Sequence, residues 1–263
     1  LNLVPVTLEL GGKSPTIIDN DIDIKTAISR LILGKTLNSG QTCVAPDYIF
    51  CPQDKVEELI QAFQTHYQSM YPKVQENNDS TCIINDAQKA RIDSLLVNAK
   101  ERGANIIPLL QESGKTQSRK MPLTLLTNVN DDMAVMQEEI FGPIMPIIAT
   151  KSIDDALNFI NDRPSPLALY YFGMDKKEQQ YVLDQVRAGG VCINDTLSHF
   201  AQEDMHFGGV GESGMGAYHG EDGFMTFSHG KSVFVKNIFN STKFAYPPYG
   251  SAIHKVIFSI FLR

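Results

Sequence analysis

Apolar and polar positions along this chain fall into short blocks whose period switches between two and about 3.6 residues. Residues 6–10 read as a short strand closed by Gly11-Gly12, and residues 15–19 as a second apolar run. Residues 23–37 carry Ala27, Ile28, Leu31 and Ile32 at helical spacing behind Asp23, a good N-cap. Residues 48–51 read as a strand. In residues 53–71, Val56, Leu59, Ile60, Phe63, Tyr67 and Met70 form one stripe, which predicts a helix that Pro72 stops. Helices are also predicted over 86–102, 152–161 and 176–188, with Ser152 capping the second. Strands are predicted over 105–110, 144–149, 167–172 and 191–194. Strand and helix alternate, so the expected fold class is α/β: a mostly parallel sheet flanked by helices.

The character changes after Asn194. Residues 207–223 are glycine-rich and aperiodic, which predicts a long irregular loop. Residues 226–236 alternate in part through Phe227, Val233 and Val235, and predict an edge strand. An apolar tail covers residues 253–262. It is too short to span a bilayer, and it is expected to dock on its own protein or a neighbouring subunit.

Composition narrows the function classes. With 263 residues, 43% of them hydrophobic, the chain has material for a large core. A net charge of -7 with scattered basic residues argues against nucleic acid or an anionic membrane as the main partner. The four cysteines form no CxxC pair, which suits a reducing cytoplasm. The six histidines are dispersed without HxxxH spacing, so no metal site is expected. No signal peptide or transmembrane stretch is seen.

Two apparent nucleotide motifs fail on context. Gly209 to Gly214 spells GxGxxG, but polar Gln202-Glu203-Asp204 lies upstream and more glycine follows, where a strand and a helix are required. Gly12-Lys13-Ser14 resembles the end of a phosphate loop, but the required earlier glycine is Thr7.

Candidate chemistry sits in three segments. Cys43 lies in Asn38-Ser39-Gly40-Gln41-Thr42-Cys43-Val44-Ala45-Pro46, a loop with small flanking residues that leave the sulfur approachable. Most free cysteines are merely small buried hydrophobes. Glu9 interrupts an apolar strand and must face solvent or a cleft. Glu138-Glu139-Ile140-Phe141-Gly142-Pro143 reads equally well as a turn.

Together and in this order, the segments resemble the aldehyde dehydrogenase superfamily. The resemblance rests on the LELGGKSP run with Glu9, the GQTC run with Cys43 and the EEIFGP run with Glu139. It extends to Asn194, Phe207-Gly208-Gly209 and Ser213-Gly214-Met215-Gly216. Thr42 to Tyr48, Asn161 to Pro164 and Gly214 to Gly220 look like the class 3 branch, closest to bacterial coniferyl aldehyde dehydrogenases. His206 departs from the family, which usually has proline there, and is expected to reshape the substrate entrance.

The resemblance implies NAD(P)-dependent oxidation of an aldehyde, of aromatic or coniferyl type, to the acid. Cys43 would be the nucleophile, forming a thiohemiacetal and then a thioester, with its backbone N–H helping to hold the oxyanion. Glu9 would activate the deacylating water. Glu139 would hold the ribose hydroxyls of NAD or NADP, with Phe141 packing near the nicotinamide. Phe207 would line the substrate tunnel, and Asn194 would occupy a structural position near the site. The implied layout is a catalytic domain over residues 1–211 and a C-terminal segment over 212–263 that returns toward the cofactor and oligomerisation region. The strand at 226–236 would join a partner's sheet in a homodimer. The chain starts at Leu1, just before the LELGGK run, so the nucleotide-binding domain is expected to lie outside it. These residues alone are then expected to be inactive as a dehydrogenase. The residues by themselves also admit a cofactor-free cysteine esterase or thioesterase using Cys43 and Glu9, or a non-catalytic protein that keeps the fold.

Overall fold

The computed structural model describes residues 3–110 and 118–261. Leu262 and Arg263, the end of the apolar tail, lie outside the described residues. The chain separates into two compact units, Leu1–Phe227 and Ser228–Arg263.

In the first unit the strands are β1 (Leu8–Glu9), β2 (Ser14–Ile18), β3 (Pro46–Pro52), β4 (Asn105–Pro108), β5 (Thr124–Thr127), β6 (Ile144–Thr150), β7 (Ala168–Phe172), β8 (Gly190–Ile193) and β9 (Gly214–Met215). The helices are α1 (Ile24–Thr36), α2 (Val56–Met70), α3 (Asp86–Glu101), α4 (Ala134–Gln137), α5 (Ile153–Asn161), α6 (Lys176–Gln185), α7 (Ser198–Ala201) and α8 (Gly220–Thr226). Seven strands form one sheet in the order β4-β5-β6-β3-β2-β7-β8. Every pairing in it is parallel except β4 with β5.

The strand pleat sorts the core into two layers. On β3, Ile49 and Cys51 point to the layer that receives Leu31 and Ile32 of α1 and Leu59 and Phe63 of α2. Tyr48 and Phe50 point to the opposite layer, with Ile92 and Leu95 of α3 and Leu157 and Ile160 of α5. The helices start where the caps are. Asp23 accepts from the Thr26 N–H at 3.2 Å, and Ser152 closes a capping box with Asp155.

Three elements differ from the expected pattern. The first strand shrinks to Leu8–Glu9, because among the described residues its only ladder partner is the two-residue β9. β5 was not read from the sequence. Thr226 ends α8, and residues 227–236 form no strand. Among the described residues they have no ladder partner, and Phe227, Val233, Phe234 and Val235 stand at least 72% exposed. The first unit runs to Phe227 and includes β9, paired with β1.

In the second unit, the tail forms α9 (Ala252–Phe261). Its His254 ring meets Ser251 Oγ at 2.9 Å and the Tyr249 ring edge-on at 5.4 Å. No helix among the described residues is long and apolar enough to cross a membrane.

Candidate active site

Glu9 is held by a two-stranded ribbon built on glycine. It pairs with Gly214, and the Leu10 N–H donates to the Ser213 carbonyl at 2.9 Å. At Gly214, φ is +143° and an added Cβ would fall 2.1 Å from the Leu8 carbonyl oxygen, so only glycine closes this ribbon.

Cys43 follows a tight turn at the end of α1. Asn38, Ser39 and Gly40 all have positive φ, and a Cβ on Gly40 would lie 2.6 Å from the Gly142 carbonyl. The turn therefore packs directly on the Phe141-Gly142-Pro143 loop. Gln41 braces it: its Nε2 donates to the Asn38 carbonyl at 2.9 Å, and its Oε1 accepts from the Ile84 N–H at 2.9 Å. The Tyr170 hydroxyl donates to the Val44 carbonyl from beneath.

The fold brings Cys43 and Glu9 together. The thiol is half-buried, and its pKa is pushed up to about 11. Burial is the largest cause; the Glu9 charge and a Glu9–thiol hydrogen bond come next, followed by the Glu139 charge.

Glu139 sits on the Gly11-Gly12 turn, where its carboxylate accepts the Gly12 N–H. Gly11 has φ +76°, and a Cβ there would stand 3.0 Å from Glu139 Oε2. Burial, with Asp47 nearby, raises Glu139 to about 7, while Lys13 and Lys35 act in the opposite direction. Lys35 is 1% exposed, and burial lowers it to about 8.

Phe141 has φ +47° and is 40% exposed. It lines a groove of about 650 Å³ with Gln41, Arg91 and Glu139. A second cleft, of about 620 Å³, is lined by Gly11, Gly12, Lys13, Tyr48 and Glu139. Glu139 therefore stands between two depressions, each able to take part of an extended ligand.

Phe207 is only 2% exposed. It stacks on His219 with centroids 4.8 Å apart, and meets Phe200 and Tyr218 edge-on at 5.1 and 5.6 Å. Cys43 and Tyr218 both pack on the core layer that contains Phe207. His206 Nδ1 lies 2.9 Å from Asp222 on α8. Asn194 braces the backbone: its amide accepts from the N–H and donates to the carbonyl of Gly173, each at 2.9 Å.

The sequence reading missed Lys13, Asp47 and Tyr218. Ser14 pairs with Pro46 and Pro15 with Tyr48, so Asp47 is an unpaired bulge residue beside Lys13. Lys13 pairs with Asp47 and donates to the Val135 and Glu138 carbonyls at 2.9 and 3.0 Å. The available signal was one carboxylate interrupting Pro-Asp-Tyr-Ile-Phe-Cys. Tyr218 lies close enough to Glu9 and Cys43 that both raise its pKa, after burial. Among the described residues there is no cluster of metal ligands.

Known proteins resemble this chain along its whole length. The aldehyde dehydrogenase family model matches residues 1–233. A probable coniferyl aldehyde dehydrogenase from Pseudomonas aeruginosa is 53% identical over 262 residues, covering 100% of this chain and 54% of its own length. Aldehyde dehydrogenase family 3 member A2 from Rattus norvegicus is 44% identical over 252 residues, covering 94% of this chain and 50% of its own. The substrate-bound state of Staphylococcus aureus AldH superposes with a TM-score of 0.88 at 43% identity, covering 98% of this chain and 55% of that one. This chain thus spans about half the length of the curated relatives it matches. A family match over most of the chain, on a fold that gathers Cys43, Glu9 and Glu139, makes this chain a member of the aldehyde dehydrogenase family.

Proposed function

We propose that these residues form the catalytic part of an NAD(P)-dependent enzyme that oxidises an aldehyde to its acid. The observation that carries the reading is the convergence of Cys43, Glu9 and Glu139 from distant parts of the chain. The similarity to coniferyl aldehyde dehydrogenases supports an aromatic aldehyde of that type as substrate.

Cys43 attacks the carbonyl carbon as its thiolate, its proton passing to solvent; the C=O π bond breaks, and the product is a thiohemiacetal with the negative charge on oxygen. After oxidation to the thioester, Glu9 takes a proton from the water that releases the acid. Phe207 and the rings around it form the apolar wall beside the thiol.

The residues at Glu139 fit a dinucleotide. Gly11 leaves room that a Cβ would fill, and the Glu139 carboxylate offers an acceptor for ribose hydroxyls beside exposed Phe141. A bound nicotinamide would supply the hydride acceptor. Solved relatives with NADP, such as the glyceraldehyde-3-phosphate dehydrogenase of Bacillus halodurans, support NAD(P) use without choosing between the two nucleotides.

Residues 212–263 would serve oligomerisation, the exposed run from Phe227 to Lys236 joining a second subunit's sheet in a homodimer. A cytoplasmic setting fits the four free cysteines.

The test is NAD(P)H production with coniferyl aldehyde by a full-length enzyme carrying these residues. Turnover is expected, and Cys43→Ala is expected to abolish it. Ester cleavage lost with Cys43→Ala, without any NAD(P)-dependent oxidation, would instead assign a cofactor-free hydrolase.

A further inference from the structure

The backbone on either side of the Glu139 side chain is pinned from two directions. From within the fold, Lys13 Nζ engages three acceptors: Asp47, the Val135 carbonyl at 2.9 Å and the Glu138 carbonyl at 3.0 Å. That satisfies every donor an ammonium has. The second Asp47 oxygen accepts the Ile140 N–H at 2.9 Å. From the α3 side, Arg91 donates to the Ile140 carbonyl at 2.6 Å and the Glu139 carbonyl at 3.4 Å. Residues 138, 139 and 140 therefore each give a backbone polar atom to a charged side chain.

Stability alone does not account for this arrangement. The Lys13 and Asp47 side chains are 14% and 3% exposed. A buried ion pair roughly cancels its own desolvation, and apolar residues of similar volume commonly do as well. What such a pair adds is fixed geometry. The bulge that frees Asp47 from the sheet ladder aims it at one backbone N–H next to Glu139. Loops ordinarily leave such groups to water.

We infer that Lys13, Asp47 and Arg91 are positioning residues that fix the Glu139 backbone, and through it the carboxylate that takes the ribose hydroxyls. The inference rests on the role proposed above for Glu139. None of the three needs to touch the dinucleotide.

Two measurements test it. The first is hydrogen exchange on the chain itself. Asp47→Asn is expected to speed exchange of the amides of residues 138–141 by about tenfold or more, with the β6 amides unchanged. Arg91→Met, at a partly exposed side chain, is expected to act on the same amides if Asp47→Asn fails to fold. The second is kinetics in the full-length enzyme. Arg91→Met is expected to raise the KM for NAD(P) about tenfold and to change the aldehyde KM by less than about twofold. Arg91→Lys is expected to recover most of the loss. In a Glu139→Gln background, Arg91→Met is expected to add less than about twofold, since residues acting through one group are not additive. Unchanged exchange at 138–141, or an Arg91 effect that persists in full without the Glu139 carboxylate, overturns the inference. A wild-type enzyme with no NAD(P)-dependent oxidation overturns the role of Glu139, while the exchange data still decide whether the clamp exists.

Discussion

Replacing Glu9 with glutamine tests the electrostatics of the thiol directly. Cys43 stands at about 11 against an ordinary 9.0. Near pH 8 its thiolate fraction is then on the order of one in a thousand, where an unperturbed thiol would reach about one in ten. Burial is the largest cause and survives the substitution; the Glu9 charge, the next, does not. For each unit by which the pKa falls, the thiolate population rises about tenfold. Each thiolate also loses about threefold in nucleophilicity, because the Brønsted slope is ~0.4–0.5. The net gain is about three- to fourfold per unit. Removing the whole elevation sets a ceiling of roughly 15-fold, so about 3- to 10-fold is expected. The assay is iodoacetamide alkylation followed by peptide mass spectrometry across pH, with exposed Cys82 as the internal control. The order should reverse above about pH 11, where both thiols are ionised and the less basic one is slower. A variant alkylated more slowly than wild type near pH 8 refutes the reasoning. Glu9 would then be acting mainly as the base that accepts the thiol proton, rather than as a charge that keeps the thiol protonated.

Three further outcomes follow from the same geometry. Gly11→Ala places a Cβ in the left-handed region and 3.0 Å from Glu139 Oε2; a loss of about 1–2 kcal/mol is expected in urea unfolding. Glu139 stands at about 7 in the fold against an ordinary 4.5, so the folded state binds its proton more tightly than the unfolded state does. Its contribution to stability is therefore full below about 4.5 and is lost as pH rises through about 7. Glu139→Gln should gain on wild type between those limits when unfolding is compared at both ends. Asn194→Ala removes two hydrogen bonds to Gly173 and leaves alanine at φ +57°. It should cost about 2–3 kcal/mol in unfolding while changing Cys43 alkylation by less than about twofold, if Asn194 is structural.

Local pattern carried the elements that bury one clear stripe or face. The stripe from Leu59 to Tyr67 became α2, and the apolar run from Tyr48 to Cys51 became the centre of β3. Pattern failed where a partner decides the structure. Leu8–Glu9 is a strand only as far as Gly214 and Met215 pair with it. β5 needed β4 and β6 on either side. Residues 227–236 alternate convincingly, yet alternation without a ladder leaves exposed apolar side chains.

The same distinction explains Lys13. Its sequence context was a failed phosphate loop, a test that asks only which glycines precede a lysine. In the structure the lysine serves a loop more than a hundred positions away, reaching the Val135 and Glu138 carbonyls. No periodicity reports that distance. The two glycines before it have a separate reason: Gly11 must be bare for the Glu139 carboxylate to lie against it. Gly40 is likewise bare because Gly142 packs on it. Three motifs that look independent along the chain are thus joined through contacts that exclude side chains at Gly11 and Gly40. A substitution that adds a Cβ at either glycine should disturb Glu139 or its loop before it disturbs the residue's own neighbours, and that ordering is what a common site requires.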